Sequence, residues 1–146
     1  MIEVLSQNVE KPVLDWEKVE QWIVEVAQRL GRRVGALTYI FCDDERILEV
    51  NRQFLNHDYY TDIITFDNTT GRLIRGDMFI SLDTVATNAD SVEATYDEEL
   101  MRVIIHGVLH LCGINDKGPG EREIMEAHEN EALKLWREAY VSHKDI

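Results

Sequence analysis

The stretch IHGVLHLCGIND, residues 105–116, contains two histidines, a glycine and an aspartate at the spacing of metal ligands. On an α-helix, positions four residues apart lie one turn apart on the same face, so His106 and His110 can approach one ion. Gly113 can adopt the left-handed conformation that ends a helix, and the returning chain can then bring Asp116 to the ion from a third direction. The stretch therefore predicts a site of two histidines and one carboxylate, with room for a water molecule.

The helix that carries the histidines is predicted to lie in the middle of the fold. Residues 100–111 are apolar almost all round, which is typical of a buried helix. At about 100° per residue, the polar exceptions fall in one arc of about 80°. These exceptions are Glu99, Arg102, His106 and His110. Because buried polar groups need partners, the arc favours a metal site over two core histidines bonded to backbone carbonyls. Gly107, beside the arc, predicts the close approach of a strand or a substrate.

Length and composition predict one domain of an ordinary globular protein. The chain has 146 residues, of which 45% are hydrophobic and 29% charged. It contains no apolar run of transmembrane length and no signal-peptide pattern, so we expect a cytoplasmic protein with no membrane partner. The formal net charge is −13, and a surface this acidic repels free nucleic acid. Any role with nucleic acid therefore needs local basic groups or a partner that presents the substrate.

The fold is predicted to be α+β, as a single domain over residues 1–146. Alternation and β-branched runs predict a small mixed sheet of about four strands, covered by helices, with the histidine helix central. The strands are expected at 2–9, 34–42, 63–66 and 73–81.

Helix caps are predicted at Asp15, Asp43 or Asp44, Ser81, and Thr95 with Glu98. The last helix is expected to start near Pro119, with acidic residues including Glu129 on its solvated side. Its buried face is predicted to be Ile124, Ala127, Leu135, Trp136 and Ala139.

The predicted ligand set supports hydrolysis. Two histidines and a carboxylate around an open position hold a divalent ion that lowers the pKa of a bound water. Zinc is the predicted ion, with another divalent transition metal as the alternative. The same ligands form the facial triad of non-haem iron oxygenases, but no arginine for 2-oxoglutarate and no barrel-like series of strands is recognisable. Zincin peptidases place a glutamate after the first histidine; Gly107 occupies that position here and argues against them.

Other side chains are candidates for supporting the site. Asp62 and Asp77 are predicted to accept the second N–H of the ligating histidines, or else to bond their own backbone. Arg102 is expected to pair with Glu99 or to meet a phosphate, and pairing is favoured. The further candidates are Thr61, which otherwise caps a loop, and His57, which otherwise is simply exposed. No residue is assigned as general acid or base.

The two cysteines, Cys42 and Cys112, are predicted to be buried thiols, since two cysteines give no disulfide framework. Cys112 lies inside the metal stretch, but its helical angle points it away from the histidine arc. A role as fourth ligand is the alternative for Cys112.

The chain resembles the YbeY-type metal-dependent endoribonucleases that act in ribosomal RNA maturation. The hallmark of that family, His-Gly-x-Leu-His-Leu-x-Gly-x-x-His, is matched by residues 106–116, except that Asp116 replaces the last histidine. Two further stretches, DYYTDIITF at 58–66 and GDMFIS at 76–81, match in the same order and spacing. The arginine that the family usually has before the Thr-Asp loop aligns with Leu55.

The resemblance implies a single-strand-specific endoribonuclease in ribosomal RNA processing and ribosome maturation, in which a metal-activated water attacks a phosphodiester. The implied partner is an RNA precursor, and the acidic charge predicts that ribosomal particles or a protein partner present it. The basic groups predicted nearest to the site are Arg72, Arg75, Lys117 and Arg122. The alternative from another class is a non-catalytic ribosome-assembly factor with a structural metal.

Overall fold

The computed structural model describes residues 2–56 and 61–141. Four strands form one mixed sheet in the order β1-β2-β4-β3, in which β1 and β4 pair parallel to β2 and β3 pairs antiparallel to β4. The elements along the chain are β1 Ile2–Ser6, α1 Trp16–Arg29, β2 Arg33–Cys42, α2 Asp44–Val50 with a π-helical turn Asn51–Leu55, β3 Ile63–Asp67, β4 Leu73–Ser81, α3 Leu82–Ser91, α4 Tyr96–Leu111, and α5 Glu121–Leu135 with a π-helical turn Trp136–Tyr140. The predicted α+β class and four-stranded mixed sheet are confirmed.

Helix α4 is the central element of the core, as predicted. It packs on the face of the sheet to which Gly76 and Met78 of β4 point. Gly107 allows this approach, because a Cβ there would lie 2.5 Å from Met78 Sδ and 3.0 Å from Ile63 Cδ1. The Tyr39 hydroxyl donates a buried hydrogen bond of 2.9 Å to the Ile104 carbonyl, which ties β2 to α4. The sequence predicted a close approach at Gly107, and the structure shows that strands β3 and β4 make it.

The ends of the helices follow the predicted chemistry. Asp15, Asp43 and Ser81 each accept a hydrogen bond from a backbone N–H in the first turn of the helix that they cap. Thr95 and Glu98 form a complete capping box at the start of α4. At its other end, Gly113 has a φ of +95°, so the chain leaves the helix where the sequence predicts.

The last helix differs from its prediction. Helix α5 begins at Glu121, after Gly120 rather than at Pro119, and Ile124 is 54% exposed. Ala127 and Ala139 are exposed as well, and Leu135 and Trp136 are half-buried. The buried positions are Met125, Glu129, Ala132 and Leu133, which follow one another at helical spacing. The prediction placed Glu129 in solvent, whereas its charge has partners inside the protein.

Strand β1 is also shorter than predicted, since it ends at Ser6. None of the helices in the described part of the chain is both long enough and apolar enough to span a membrane.

Candidate active site

Helices α4 and α5 border a cleft of about 800 Å³. His106 on α4 and Glu129 on α5 both line it, and Asp116 lines it from the loop between the two helices. Asp62, at the entry to β3, and Arg102, one turn before His106, complete its polar part. Four of the predicted site residues therefore meet in one cleft, together with a fifth residue, Glu129, that was not predicted.

His106 is held between two carboxylates. Its Nδ1 lies 2.6 Å from Glu129 Oε2, and its Nε2 lies 3.4 Å from Asp116 Oδ2. Burial alone would lower the pKa of His106, but the hydrogen bond to Glu129 and the charges of Glu129, Asp116 and Asp62 outweigh burial and raise it. The turn at Gly113 thus brings Asp116 back to the first histidine, as predicted from the sequence.

His110 lies one turn further along the same face of α4 and is half-buried. It does not line the cleft, and within residues 2–56 and 61–141 its side chain makes no hydrogen bond. In that same part of the chain, no three histidine, cysteine or carboxylate side chains are grouped closely enough to hold an ion. The structure brings together two of the three predicted ligands, His106 and Asp116, and leaves the third apart.

The chemistry of this pair fits a divalent cation. The hydrogen bonds from His106 and Arg102 lower the pKa of Glu129, although burial alone would raise it, so the carboxylate acts as an acceptor. His106 must then carry its hydrogen on Nδ1. In the neutral ring, the lone pair of Nε2 faces a carboxylate oxygen of Asp116, and two facing acceptors are stabilised by a proton or a cation between them. An imidazole and a carboxylate are donors that zinc accepts.

Arg102 forms an ion pair with a carboxylate, as the sequence favoured, but the carboxylate belongs to Glu129 and not to Glu99. Its Nη1 donates to Glu129 Oε1 at 2.8 Å and its Nη2 donates to Asn130 Oδ1 at 2.7 Å. Glu99 is buried, and that burial raises its pKa while the charge of Arg102 lowers it. The guanidinium therefore links α4 to α5.

The two aspartates predicted to orient the histidines lie on different sides of the sheet. Asp77 alternates along β4 with Gly76 and Met78, whose positions face α4, so its side chain points to the opposite face, where Phe79 packs with α2. Asp77 therefore does not reach His106. The carboxylate that contacts Nδ1 of His106 is that of Glu129, on α5.

Asp62 lies in the cleft, and its Oδ2 accepts a hydrogen bond of 3.4 Å from Asn88 Nδ2. Burial raises its pKa, while the charge of His106 lowers it. Thr61 is half-buried beside it and forms no hydrogen bond with the described residues. His57 lies outside the described residues.

The two cysteines are buried free thiols, as predicted. Burial raises the pKa of Cys112 to about 11. Cys112 does not line the cleft, within the part of the chain that the structure describes.

The basic residues at the cleft differ in part from those expected. Arg122 lines it as expected, and Arg137, which no sequence motif indicated, lines it too. Arg72, Arg75 and Lys117 are not among the described residues that form its walls. Among the described residues, the two arginines of the cleft besides Arg102 therefore lie on α5 and on the turn that follows it.

Comparison with known proteins identifies the family of the chain. The family model described as Endoribonuclease YbeY matches residues 3–137. The chain belongs to this family. A relative named Endoribonuclease YbeY from Phocaeicola vulgatus is 63% identical over 92% of this chain and 98% of its own length. Relatives of the same name from Bacteroides thetaiotaomicron and Porphyromonas gingivalis are 61% and 49% identical, over 89% and 99% of this chain and 95% and 96% of their own lengths.

A solution structure of a Thermotoga maritima protein has the same fold, with a TM-score of 0.61 and 24% identity, over 100% of this chain and 99% of the other. Family membership confirms the predicted class of enzyme, an endoribonuclease. It disfavours both alternatives, the non-catalytic assembly factor and the iron oxygenase.

Proposed function

We propose that the chain cleaves single-stranded segments of ribosomal RNA precursors in the cytoplasm, at the cleft between α4 and α5. The observation that carries the proposal is the convergence of His106 and Asp116, with 3.4 Å between Nε2 and Oδ2, inside a cleft of a protein that belongs to the YbeY family. A cleft of about 800 Å³ is large enough for a nucleotide and its flanking phosphates.

His106 and Asp116 would hold a divalent ion, with zinc first and another divalent transition metal second. His110 would be the third ligand after its ring turns toward the pair, which its place one helical turn along the same face allows. A bound ion would supply an acidified water and would offset charge on the phosphate. Gly113 and the loop that follows it bring the Asp116 carboxylate to Nε2 of His106.

Binding of the RNA backbone falls to Arg122 and Arg137 on the walls of the cleft. Two arginines neutralise few phosphates. The protein has 28 acidic residues against 15 basic ones, and this excess of negative charge repels the rest of the RNA strand. We therefore expect weak binding to naked RNA, and effective binding when a ribosomal particle or a protein partner presents the substrate.

The test is cleavage of single-stranded RNA and of a ribosomal RNA precursor by purified protein, before and after chelation and with zinc or manganese added back. We expect cleavage that disappears on chelation and returns with the metal. Asp116→Ala should abolish cleavage, whereas Glu123→Ala, an exposed carboxylate on α5 outside the cleft, should cut like the wild type. Cleavage that survives both chelation and Asp116→Ala would overturn the metal-dependent mechanism.

A further inference from the structure

Glu129 differs from the other carboxylates of α5 because it is buried, with 8% of its surface exposed. Each of its oxygens has one strong donor: Oε2 lies 2.6 Å from His106 Nδ1, and Oε1 accepts from Arg102 Nη1 at 2.8 Å. Arg102 is itself held by Asn130, which follows Glu129 in the sequence. A carboxylate fixed at both oxygens can impose an orientation on whatever it touches.

The imidazole of His106 has two ring nitrogens with different tasks. A hydrogen bond at one nitrogen decides which tautomer is present and therefore which nitrogen can bind a metal. With Nδ1 donating to Glu129, the neutral ring keeps its lone pair on Nε2, which is the nitrogen that faces Asp116.

We propose that Glu129, held by Arg102, is a positioning residue that fixes the tautomer and the direction of His106 for metal binding. The proposal rests on the proposed role of His106 as a metal ligand. It also assigns a task to Arg102, which then acts through Glu129 and not through a phosphate of the substrate.

A purely structural ion pair between α4 and α5 would produce the same contacts, so the test must separate the two roles. Glu129→Gln does this, because the amide has one oxygen for two donors. The guanidinium of Arg102 carries a full positive charge and takes that oxygen. The amide N–H₂ then faces His106 and donates to Nδ1, which favours the tautomer with its hydrogen on Nε2. That tautomer has no lone pair on Nε2, the nitrogen that faces Asp116.

The double variant Glu129→Gln with Arg102→Met supplies a rescue. Methionine removes the competing donor and keeps an unbranched side chain of similar length. The amide oxygen is then free to accept from Nδ1, and the original tautomer should return. Glu131→Gln is the matched control, because Glu131 is exposed on the same helix and lies outside the cleft.

Two readouts are needed besides cleavage. Nitrogen NMR of the metal-free protein, at a pH where the ring is neutral, reports the tautomer of His106. Competition with a chromophoric chelator measures zinc affinity. We expect Glu129→Gln to shift the tautomer to Nε2–H and to weaken zinc by roughly 10–100-fold, the range usual for groups that orient metal ligands. The double variant should recover the tautomer and most of the affinity, and Glu131→Gln should match the wild type.

Two results would overturn the proposal. One is a Glu129→Gln protein that keeps the Nδ1–H tautomer, and the other is a shifted tautomer with unchanged zinc affinity. A wild-type protein that binds no divalent ion would instead contradict the proposed metal site, and the tautomer measurement would still decide whether Glu129 orients the ring.

Discussion

The two helices that border the cleft are attached to the protein in different ways. Helix α4 buries ten of its sixteen residues and contacts both the sheet and α5. Helix α5 buries only four of its fifteen residues, and one of those four is a glutamate bonded to α4. Substitutions on α4 therefore disturb the fold and the site together, whereas substitutions on α5 can change the site and leave the core intact.

The largest expected effect is that of His106→Ala on α4. The variant removes a proposed ligand and takes one of the two donors from buried Glu129. We expect the initial rate of RNA cleavage to fall by more than about 100-fold, beyond the loss typical of a group that only orients a ligand. The control is His128→Ala on α5, a histidine that does not line the cleft. A His106→Ala protein that keeps a tenth of the wild-type rate would place the chemistry elsewhere.

The sequence predicted α4 better than α5 for a physical reason. On an apolar helix, polar exceptions such as His106 and Arg102 stand out, and their common arc can be computed from the helical repeat alone. On an acidic helix, Glu129 is one carboxylate among many. Its burial depends on donors that come from a helix more than twenty residues earlier, so the neighbouring residues of α5 do not show that a charged group can be buried there. The spacing of Met125, Ala132 and Leu133 with Glu129 was the only signal available.

A similar limit applies to the two predicted aspartates. Residues 76–80 of β4 alternate between the two faces of the sheet, but both faces carry apolar side chains, with Met78 and Ile80 on one and Phe79 on the other. Alternation along the strand places the side chains of Asp77 and Met78 on opposite faces of the sheet. It does not show which of the two faces packs against α4. Packing against Gly107 decides this, and packing is a property of the folded chain.

A substitution at Gly107 should measure how closely α4 is packed. A Cβ at this position would lie 2.5 Å from Met78 Sδ, and the extra methyl groups of valine would also meet Ile63. We expect Gly107→Val to lower the free energy of unfolding by about 1–3 kcal/mol, the usual cost of overpacking. Denaturant unfolding followed by circular dichroism measures it.

The paired control for that measurement is Ile124→Ala on α5. Because Ile124 is 54% exposed, its truncation should change stability by no more than about 0.5 kcal/mol. If Gly107→Val and Ile124→Ala lowered the free energy of unfolding equally, α4 would not be packed more tightly than α5.

The starts of the two helices provide a smaller contrast. Thr95 caps α4 with a capping box, whereas α5 follows Gly120 without a side-chain cap. Replacing Thr95 by alanine should cost about 1 kcal/mol, because the backbone N–H of Glu98 loses its acceptor. Thr87→Ala, on an exposed part of α3, is the control and should stay within about 0.5 kcal/mol of the wild type in the same unfolding experiment. An equal loss in both variants would show that the cap contributes nothing specific.

The smallest expected effect belongs to α5 and concerns RNA binding. Arg122 is exposed on a wall of the cleft, so replacing it with glutamine should remove one phosphate contact and leave the fold unchanged. For single strands, each contact contributes about 0.7 to the slope of log affinity against log salt concentration. We therefore expect the slope of Arg122→Gln to be shallower by roughly that amount, as measured by titration of labelled RNA at several salt concentrations. Arg72→Gln, on the hairpin between β3 and β4, should keep the wild-type slope, because Arg72 does not line the cleft. The opposite result, with Arg72 but not Arg122 changing the slope, would move the RNA from the wall formed by α5 to the edge of the sheet.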